Sequence, residues 1–170
     1  FLLNAEMKTK FISIISKHKL IKGFIHRARF TESDLFFSLN VSREKVLDDT
    51  FERIFGLENP KVELKKKLRV TFENEPAIDE GGVQREFFDV IINQIVDKKV
   101  NLFDQKQSFY WFNKDATDSK SLDLFKLVGI IVGMGIYNGN LVNLRFPTIL
   151  YKKLKGQTVG FNDLKEFDSE

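Results

Sequence analysis

The sequence predicts a single α+β domain over residues 1–170, mainly α-helical with a small β-sheet. Apolar residues recur at helical spacing along most of the chain, whereas strict alternation of apolar and polar residues is confined to short runs. No stretch rich in proline, glycine or serine divides the chain, and 42% apolar with 30% charged residues is a globular composition. We therefore expect about seven helices and two to four short strands around one core.

The first predicted elements are three helices. Residues 4–22 are typical of an amphipathic helix with a buried inner face and a lysine-rich outer face; membrane binding through the lysines is the less favoured alternative. The apolar stripe of this helix is Phe11, Ile14, Ile15 and Ile21. Ser42 is the expected N-cap of a second helix over 43–55, with Gly56 at its C′ position. Pro60 begins a short third helix.

Strands and helices alternate in the middle of the chain. Residues 68–72 alternate as a half-buried strand, and a helix opens at Gly81 and Gly82 with apolar residues four positions apart. Residues 109–112 predict a second strand, so rich in aromatic rings that both of its faces are expected to be covered. Residues 122–137 predict the most apolar helix. The expected inner side of that helix is Phe125, Val128, Gly129, Val132, Gly133 and Ile136.

The end of the chain carries two further helical segments. Pro147 begins a helix that ends near Gly156. Asn162 is the expected cap of a last turn that contains Leu164 and Phe167.

Charge and cysteine content argue against several classes of function. A net charge of +3 is small for a nucleic-acid-binding protein, so no nucleic-acid partner is expected. The lack of cysteine excludes disulfides, thiolate metal sites and a nucleophilic thiol within the chain. It fits a cytoplasmic or a nuclear protein. The longest apolar stretch, 127–137, is shorter than the roughly 20 residues that cross a bilayer, so we expect a soluble chain without a membrane partner.

The segment 72–88 is the strongest local motif. Asp79 lies just before a helix start, where a carboxylate can accept hydrogen bonds from backbone N–H groups. Gly81 and Gly82 permit a tight turn or a close approach of backbones. The acidic residues of the segment include Glu73, Glu75, Asp79 and Glu80. Their spacing is not that of a calcium-binding loop, so a structural cap is favoured over a divalent-cation site.

Glu86 lies one turn into the same helix, among apolar neighbours. A buried carboxylate needs a partner, so we expect it to accept a backbone hydrogen bond or to pair with Arg85 or Arg69. Nothing in the order of residues requires a second carboxylate facing a cleft, so a paired-acid hydrolase is not predicted.

Other residue patterns carry no catalytic signal. The glycines from Gly133 to Gly139 do not have the spacing of a dinucleotide-binding loop and end a helix instead of following a strand. Gly129 and Gly133 are instead expected to permit close packing of helices. His18 and His26 lack the partners of a metal site, and no Gly-x-Ser-x-Gly motif occurs. We therefore expect no catalytic residue, no metal and no cofactor in the chain.

The order of these landmarks resembles the first part of the HECT ubiquitin-ligase catalytic module and is closest to the family's founding, Angelman-associated member. The matching positions are 1–5, 41–43, 48–49, 58–60, 64–66, 72, 75, 79–83, 86–88, 102–103, 109–113, 129–133, 136–138, 146–147, 151–154 and 163–164. The structural signature within them is Phe72, Glu75, Asp79, Gly81, Gly82, Glu86, Gly129 and Gly133. Asn74 and Ala77 replace glycines that are common in the family, so the turn at 74–78 is expected to differ in shape.

The resemblance implies a fragment, beginning at Phe1, that corresponds to the large subdomain of the HECT N-lobe. The small subdomain and the C-lobe, whose cysteine accepts ubiquitin as a thioester, would lie outside this chain. The fragment would then be a scaffold, inactive alone, in an enzyme that works with ubiquitin, a ubiquitin-conjugating enzyme docked on the small subdomain, and protein substrates. A non-catalytic interaction scaffold with a degenerate HECT fold is the alternative, and a basic membrane or nucleic-acid module is a third possibility.

Some members of the family bind a second ubiquitin non-covalently near the aromatic strand. The resemblance thus makes four residues candidate ubiquitin contacts: Phe109, Tyr110, Trp111 and Phe112. Burial of these rings in the core is the alternative.

Overall fold

The computed structural model describes residues 7–8, 10–12, 14–15, 18, 35–75, 80–106 and 108–166. Its strands are β1 (Phe36–Val41), β2 (Lys67–Phe72), β3 (Phe103–Lys106) and β4 (Phe109–Phe112). Its helices are α1 (Val46–Phe55), α2 (Pro60–Glu63), α3 (Glu80–Ile95), α4 (Ser119–Asn138) and α5 (Thr148–Leu154), followed by a 3₁₀ helix over Phe161–Glu166. This mixture of helices with two small sheets confirms the predicted α+β class.

A parallel pair of strands lies in the core of the larger part of the fold, and the sequence predicted only one of the two strands. β1 pairs with β2 from Phe36 opposite Lys67 to Val41 opposite Phe72, and the crossover between them contains α1 and α2. Alternate residues of β1 are buried, as are those of β2. β2 and the start of α2 at Pro60 were predicted, whereas β1 was missed.

α3 and α4 complete the core against β2 and α1. The apolar residues that recur four positions apart in α3 behave as predicted, since Phe87, Ile91 and Ile95 are fully buried. Side chains from α1, α3, α4 and both strands of the parallel pair form one hydrophobic cluster. This cluster supports the motifs that surround the start of α3.

The N-terminal segment differs from expectation. The described residues between positions 7 and 18 are helical, in agreement with the predicted helix over 4–22. However, Phe11, Ile14 and Ile15, which were expected to face inwards, are exposed to solvent. The expected buried inner face is therefore wrong for these three residues, and Ile21 lies outside the described residues.

The caps of α1 also differ from the prediction. The helix begins at Val46, and the backbone N–H of Ser42 donates to Asp49 Oδ2 at 2.7 Å instead of the Ser42 side chain capping the helix. Gly56 follows the last helical residue as predicted, but its φ of −80° is open to any residue.

The face of α4 that packs inwards is not the predicted one. The helix buries Leu124, Leu127, Val128, Ile131, Met134 and Gly135. Of the predicted inner side, only Val128 belongs to this set. Gly129 and Gly133 are exposed, and a Cβ on either would meet no atom within 4 Å, so their expected role in close packing is wrong.

Gly135 is the glycine that permits a close approach in α4. A Cβ there would lie 2.2 Å from Val142 Cγ2 and 3.5 Å from Phe88 Cε1. The chain leaves the helix through Gly139, whose φ of 75° is the left-handed conformation that glycine adopts without strain.

The C-terminal elements begin close to where they were predicted. α5 follows Pro147, and Gly156 adopts a φ of 67° two residues after the helix ends. Asn162 lies inside the 3₁₀ helix instead of capping it, and the Asp163 carboxylate accepts from the N–H of Gly160, just before the helix, at 2.9 Å. Phe167 lies outside the described residues.

Candidate functional site

A single arginine joins three of the signature positions. Arg43 Nη1 donates to Glu86 at 2.7 Å, Nη2 donates to Glu75 Oε2 at 2.8 Å, and Nε pairs with the other oxygen of Glu75. The guanidinium carbon lies 4.3 Å from the ring centroid of Phe72, which is buried at the end of β2. The bidentate pair and the stacked ring together hold one planar group in a defined orientation.

The ion pairs shift the titration of two of these groups. Hydrogen bonds from Arg43 are the main reason that the pKa of Glu75 lies below its ordinary value of 4.5. Glu75 first, and Glu86 second, raise the already high pKa of Arg43. Arg43 and Glu75 therefore each favour the charged form that their ion pair requires.

The partner of Glu86 corrects the sequence prediction. Glu86 was expected to be buried and paired with Arg85 or Arg69, yet its side chain is about half exposed and it pairs with Arg43. Forty-three positions separate Glu86 from Arg43, so no local pattern in the sequence indicated the pair.

Gln94 is a further positioning residue that sequence reasoning missed. Its Oε1 accepts from the N–H of Leu47 at 2.8 Å, and its Nε2 donates to the carbonyl of Arg43 at 3.0 Å. The side chain thereby fastens the turn that carries Arg43, together with the first turn of α1, to α3. An isolated glutamine on a helix carries no signal by which the sequence could have identified it.

A second set of amide side chains surrounds the start of α3. Gln84 Nε2 donates to the carbonyl of Leu68 at 2.6 Å, and Asn138 Oδ1 accepts from the Leu68 N–H at 3.0 Å. Asn140 Nδ2 donates to Gln84 Oε1 at 3.2 Å, so β2, α3 and the end of α4 are linked.

The helix that opens at the glycine pair is confirmed. Gly81 and Gly82 lie exposed in the first turn of α3, while Asp79, the predicted cap, lies outside the described residues.

Asn74, in the turn after β2, replaces a glycine that is common in the family. It adopts a φ of 62°, in the left-handed region where glycine is preferred and asparagine is tolerated. Asparagine can therefore replace glycine here with the backbone retaining a positive φ. Ala77 lies outside the described residues.

The ionic and amide side chains of this site hold segments of the chain in position relative to one another. Among the described residues, no three His, Cys, Asp or Glu side chains come together as a metal site. The described helices also include none with the length and apolar character needed to span a membrane. The ionic and amide groups instead join segments that are distant in sequence.

The aromatic strand packs on one side of this scaffold. β4 forms a two-stranded antiparallel hairpin with β3, and Tyr110 N–H donates to the carbonyl of Arg145 at 2.8 Å. The ring of Phe103 lies at the centre of an aromatic cluster with Tyr110, Phe112, Phe125 and Phe146. Phe109, Tyr110 and Trp111 are half-buried and Phe112 is 37% exposed, so this strand is neither fully covered nor free.

Comparison with known proteins adds the family context. Residues 89–170 match the family model described as HECT-domain (ubiquitin-transferase). The chain is 35% identical to the human protein named "Probable E3 ubiquitin-protein ligase HERC4" over 98% of its own length and 16% of the relative's. It is 32% identical to mouse HECTD2 over 90% of the chain and 19% of the relative, and 31% identical to HUL4 of Eremothecium gossypii over 81% and 17%. Both are also named probable E3 ubiquitin-protein ligases, and the chain spans less than a fifth of these relatives.

Proposed function

We propose, from the premise that this chain belongs to the HECT family, that it is the scaffold subdomain of a HECT-type ubiquitin-protein ligase. The observation that carries the proposal is 35% identity to a protein of that name over 98% of the chain. The chain would form the large N-lobe subdomain. The ion pairs of Arg43 with Glu75 and Glu86 would hold the segment 72–88 against the core.

The reaction of the parent protein is a two-step acyl transfer. A cysteine thiolate attacks the thioester that joins ubiquitin to the conjugating enzyme and releases that enzyme's thiol. A substrate lysine amine then attacks the new thioester, forms an amide and releases the ligase thiol. Because this chain contains no cysteine, it cannot carry the thioester and is expected to be inactive alone.

The finer assignments belong to the same proposal. The conjugating enzyme would dock on the small subdomain outside this chain, and protein substrates would receive ubiquitin in the cytoplasm and also in the nucleus. The order of motifs supports a placement near the founding, Angelman-associated member.

The test is a thioester assay on the full-length parent protein. It is incubated with activating enzyme, conjugating enzyme, ATP and ubiquitin, and the products are separated with and without thiol reductant. A ubiquitin-sized shift that reductant removes is the expected result. A folded parent that forms no such adduct with several conjugating enzymes would instead support a non-catalytic scaffold.

A second proposal concerns non-covalent ubiquitin binding by Phe109, Tyr110, Trp111 and Phe112. The partial exposure of the strand supports it, since half-buried aromatic rings on a hydrogen-bonded hairpin offer apolar surface for docking. We expect Trp111→Ala to weaken binding of free ubiquitin in an NMR titration. Phe161→Ala removes an exposed ring from the 3₁₀ helix and is the matched control. Equal affinities for the two folded variants would refute this contact.

A further inference from the structure

Asn138 and Gly139 form the single Asn-Gly pair in the chain, and they lie where α4 ends. An asparagine that precedes glycine is the most prone to deamidation, because glycine has no Cβ to hinder attack by its backbone nitrogen on the asparagine side chain. Gly139 is exposed to solvent, and residues 140–147 after it belong to no helix or strand. The pair therefore lies at a helix end, where local opening costs least free energy.

Deamidation joins the backbone nitrogen of Gly139 to the side chain of Asn138. The nitrogen attacks Cγ and closes a succinimide ring, and the side-chain nitrogen leaves as ammonia together with the proton that the backbone nitrogen gives up. Water then opens the ring at one of its two carbonyl carbons. Cleavage of the bond to Cγ leaves aspartate, whereas cleavage of the bond to the main-chain carbonyl carbon leaves isoaspartate.

The folded structure holds both reacting groups away from this reaction. The Nδ2 of Asn138 donates to the carbonyl of Met134 at 2.9 Å, and its Oδ1 accepts from the N–H of Leu68 at 3.0 Å. The N–H of Gly139 donates to the carbonyl of Ile136 at 3.2 Å. The amide of Asn138 must turn towards the Gly139 nitrogen to react, and this rotation breaks both of the hydrogen bonds that the amide makes.

We propose that Asn138 is the deamidation site of this chain and that it reacts when the C-terminal end of α4 opens locally. Two hydrogen bonds of ordinary strength must break first, which slows ring closure in the folded chain by roughly five- to 150-fold relative to the unfolded chain. Asn140 and Asn143 lie in the segment after the helix, but each precedes a leucine and is expected to remain unmodified.

Either product would loosen the attachment of α4 to β2. Aspartate at position 138 has no N–H to donate to the Met134 carbonyl, and its negative charge lies at the C-terminal end of a helix, where the macrodipole disfavours it. Isoaspartate lengthens the main chain by one carbon next to Asn140, whose N–H donates to the carbonyl of Gly135 at 2.9 Å. It also displaces the acceptor of the Leu68 N–H in β2.

Mass spectrometry of the incubated chain tests the site and its protection. The chain is held at one pH and temperature, either folded or in concentrated guanidinium chloride, and is then digested with trypsin. The tryptic peptide 127–145 contains Asn138, Asn140 and Asn143, so fragmentation of one peptide compares all three and distinguishes aspartate from isoaspartate. We expect modification at Asn138 in both samples, with the folded chain slower by the factor given above.

The dependence on denaturant tests the local opening. Well below the unfolding midpoint, the rate at Asn138 should change little with guanidinium concentration, because opening of one helix end exposes little surface. A rate that rises steeply there would show that global unfolding is required and would overturn the proposal. Equal rates in the folded and unfolded chain, or earlier modification of Asn140 or Asn143, would also overturn it.

A pair of variants tests the consequence of the modification. Asn138→Asp reproduces the aspartate product, and Asn143→Asp adds the same charge at an exposed position beyond the helix end. Asn138→Asp should lower Tm by roughly 2–12 °C, whereas Asn143→Asp should change it little. Equal Tm values for the two variants, measured by circular dichroism, would show that deamidation leaves the attachment of α4 to β2 intact.

Discussion

Replacement of Gly135 by alanine should destabilise the chain relative to the same replacement at Gly133. Both glycines lie in the C-terminal half of α4, so alanine improves helix propensity by about 1 kcal/mol at each position. The tertiary surroundings differ, because the new methyl group is unobstructed at Gly133 but lies 2.2 Å from Val142 Cγ2 at Gly135.

The magnitude follows from this distance. Carbon atoms in favourable contact are about 3.5 Å apart or more, so the segment that carries Val142 must move by about 1.3 Å to admit the methyl group. Overpacking of this size costs about 1–3 kcal/mol. Because the gain in helix propensity is common to both variants, the difference between them isolates the packing cost. For a chain of this size it corresponds to roughly 2–12 °C in Tm.

Thermal and urea unfolding followed by circular dichroism measures the difference. Gly133→Ala should be more stable than the unaltered chain, and Gly135→Ala should be less stable than Gly133→Ala. Val142→Ala removes the clashing methyl group, so combining it with Gly135→Ala should recover much of the loss in a double-mutant cycle. The reasoning is refuted if Gly135→Ala is as stable as Gly133→Ala.

Three further predictions concern the segments that Arg43 joins. Gln94→Ala should lower the free energy of unfolding by about 1–3 kcal/mol, because the N–H of Leu47 at the start of α1 loses its acceptor. Urea unfolding measures this, and the control Asn93→Ala, at an exposed neighbouring position, should change the free energy little. Folding lowers the pKa of Glu75, so the ionised Glu75 side chain stabilises the fold fully above its ordinary pKa of 4.5 and loses this effect as pH falls through the lower folded-state value. The Tm difference between the unaltered chain and Glu75→Gln should therefore shrink at acidic pH. A Tm difference that stays constant with pH would contradict this. Asn74→Gly should be nearly neutral and Asn74→Ala should cost about 1 kcal/mol, since alanine adopts positive φ less readily; equal Tm values for the two would rule out strain at this turn.

Long periodic elements and local motifs were predictable from the sequence. The buried face of α3 was predictable because its apolar residues recur four positions apart, with polar residues between them. β2 was predictable because its residues alternate with the period of two expected of a half-buried strand. The helix starts after Pro60 and Pro147 also follow from local chemistry. The aromatic strand β4 was predicted from its dense run of aromatic residues, whereas its partial exposure was not.

Features that depend on distant segments were not predictable in the same way. The parallel pairing of β1 requires β2, which lies beyond a crossover of two helices. The three partners of the Arg43 side chain come from β2, the turn after it and α3, at separations that no sequence window spans. The pairing of Glu86 was assigned to the wrong arginine because proximity in space was inferred from proximity along the chain.

α4 shows most clearly where the sequence reaches its limit. Its sequence predicts a helix, since apolar residues continue without an interrupting proline for five turns from the Asp118 cap. Because the helix is apolar on nearly every side, periodicity does not distinguish the face that enters the core from the face that stays at the surface. Only the position of α4 against α1, α3 and β2 decided this, burying Leu127 and Ile131 and leaving Gly129 and Ile136 at the surface. Burial depends on which surfaces the tertiary contacts cover, and that is a property of the packed elements together.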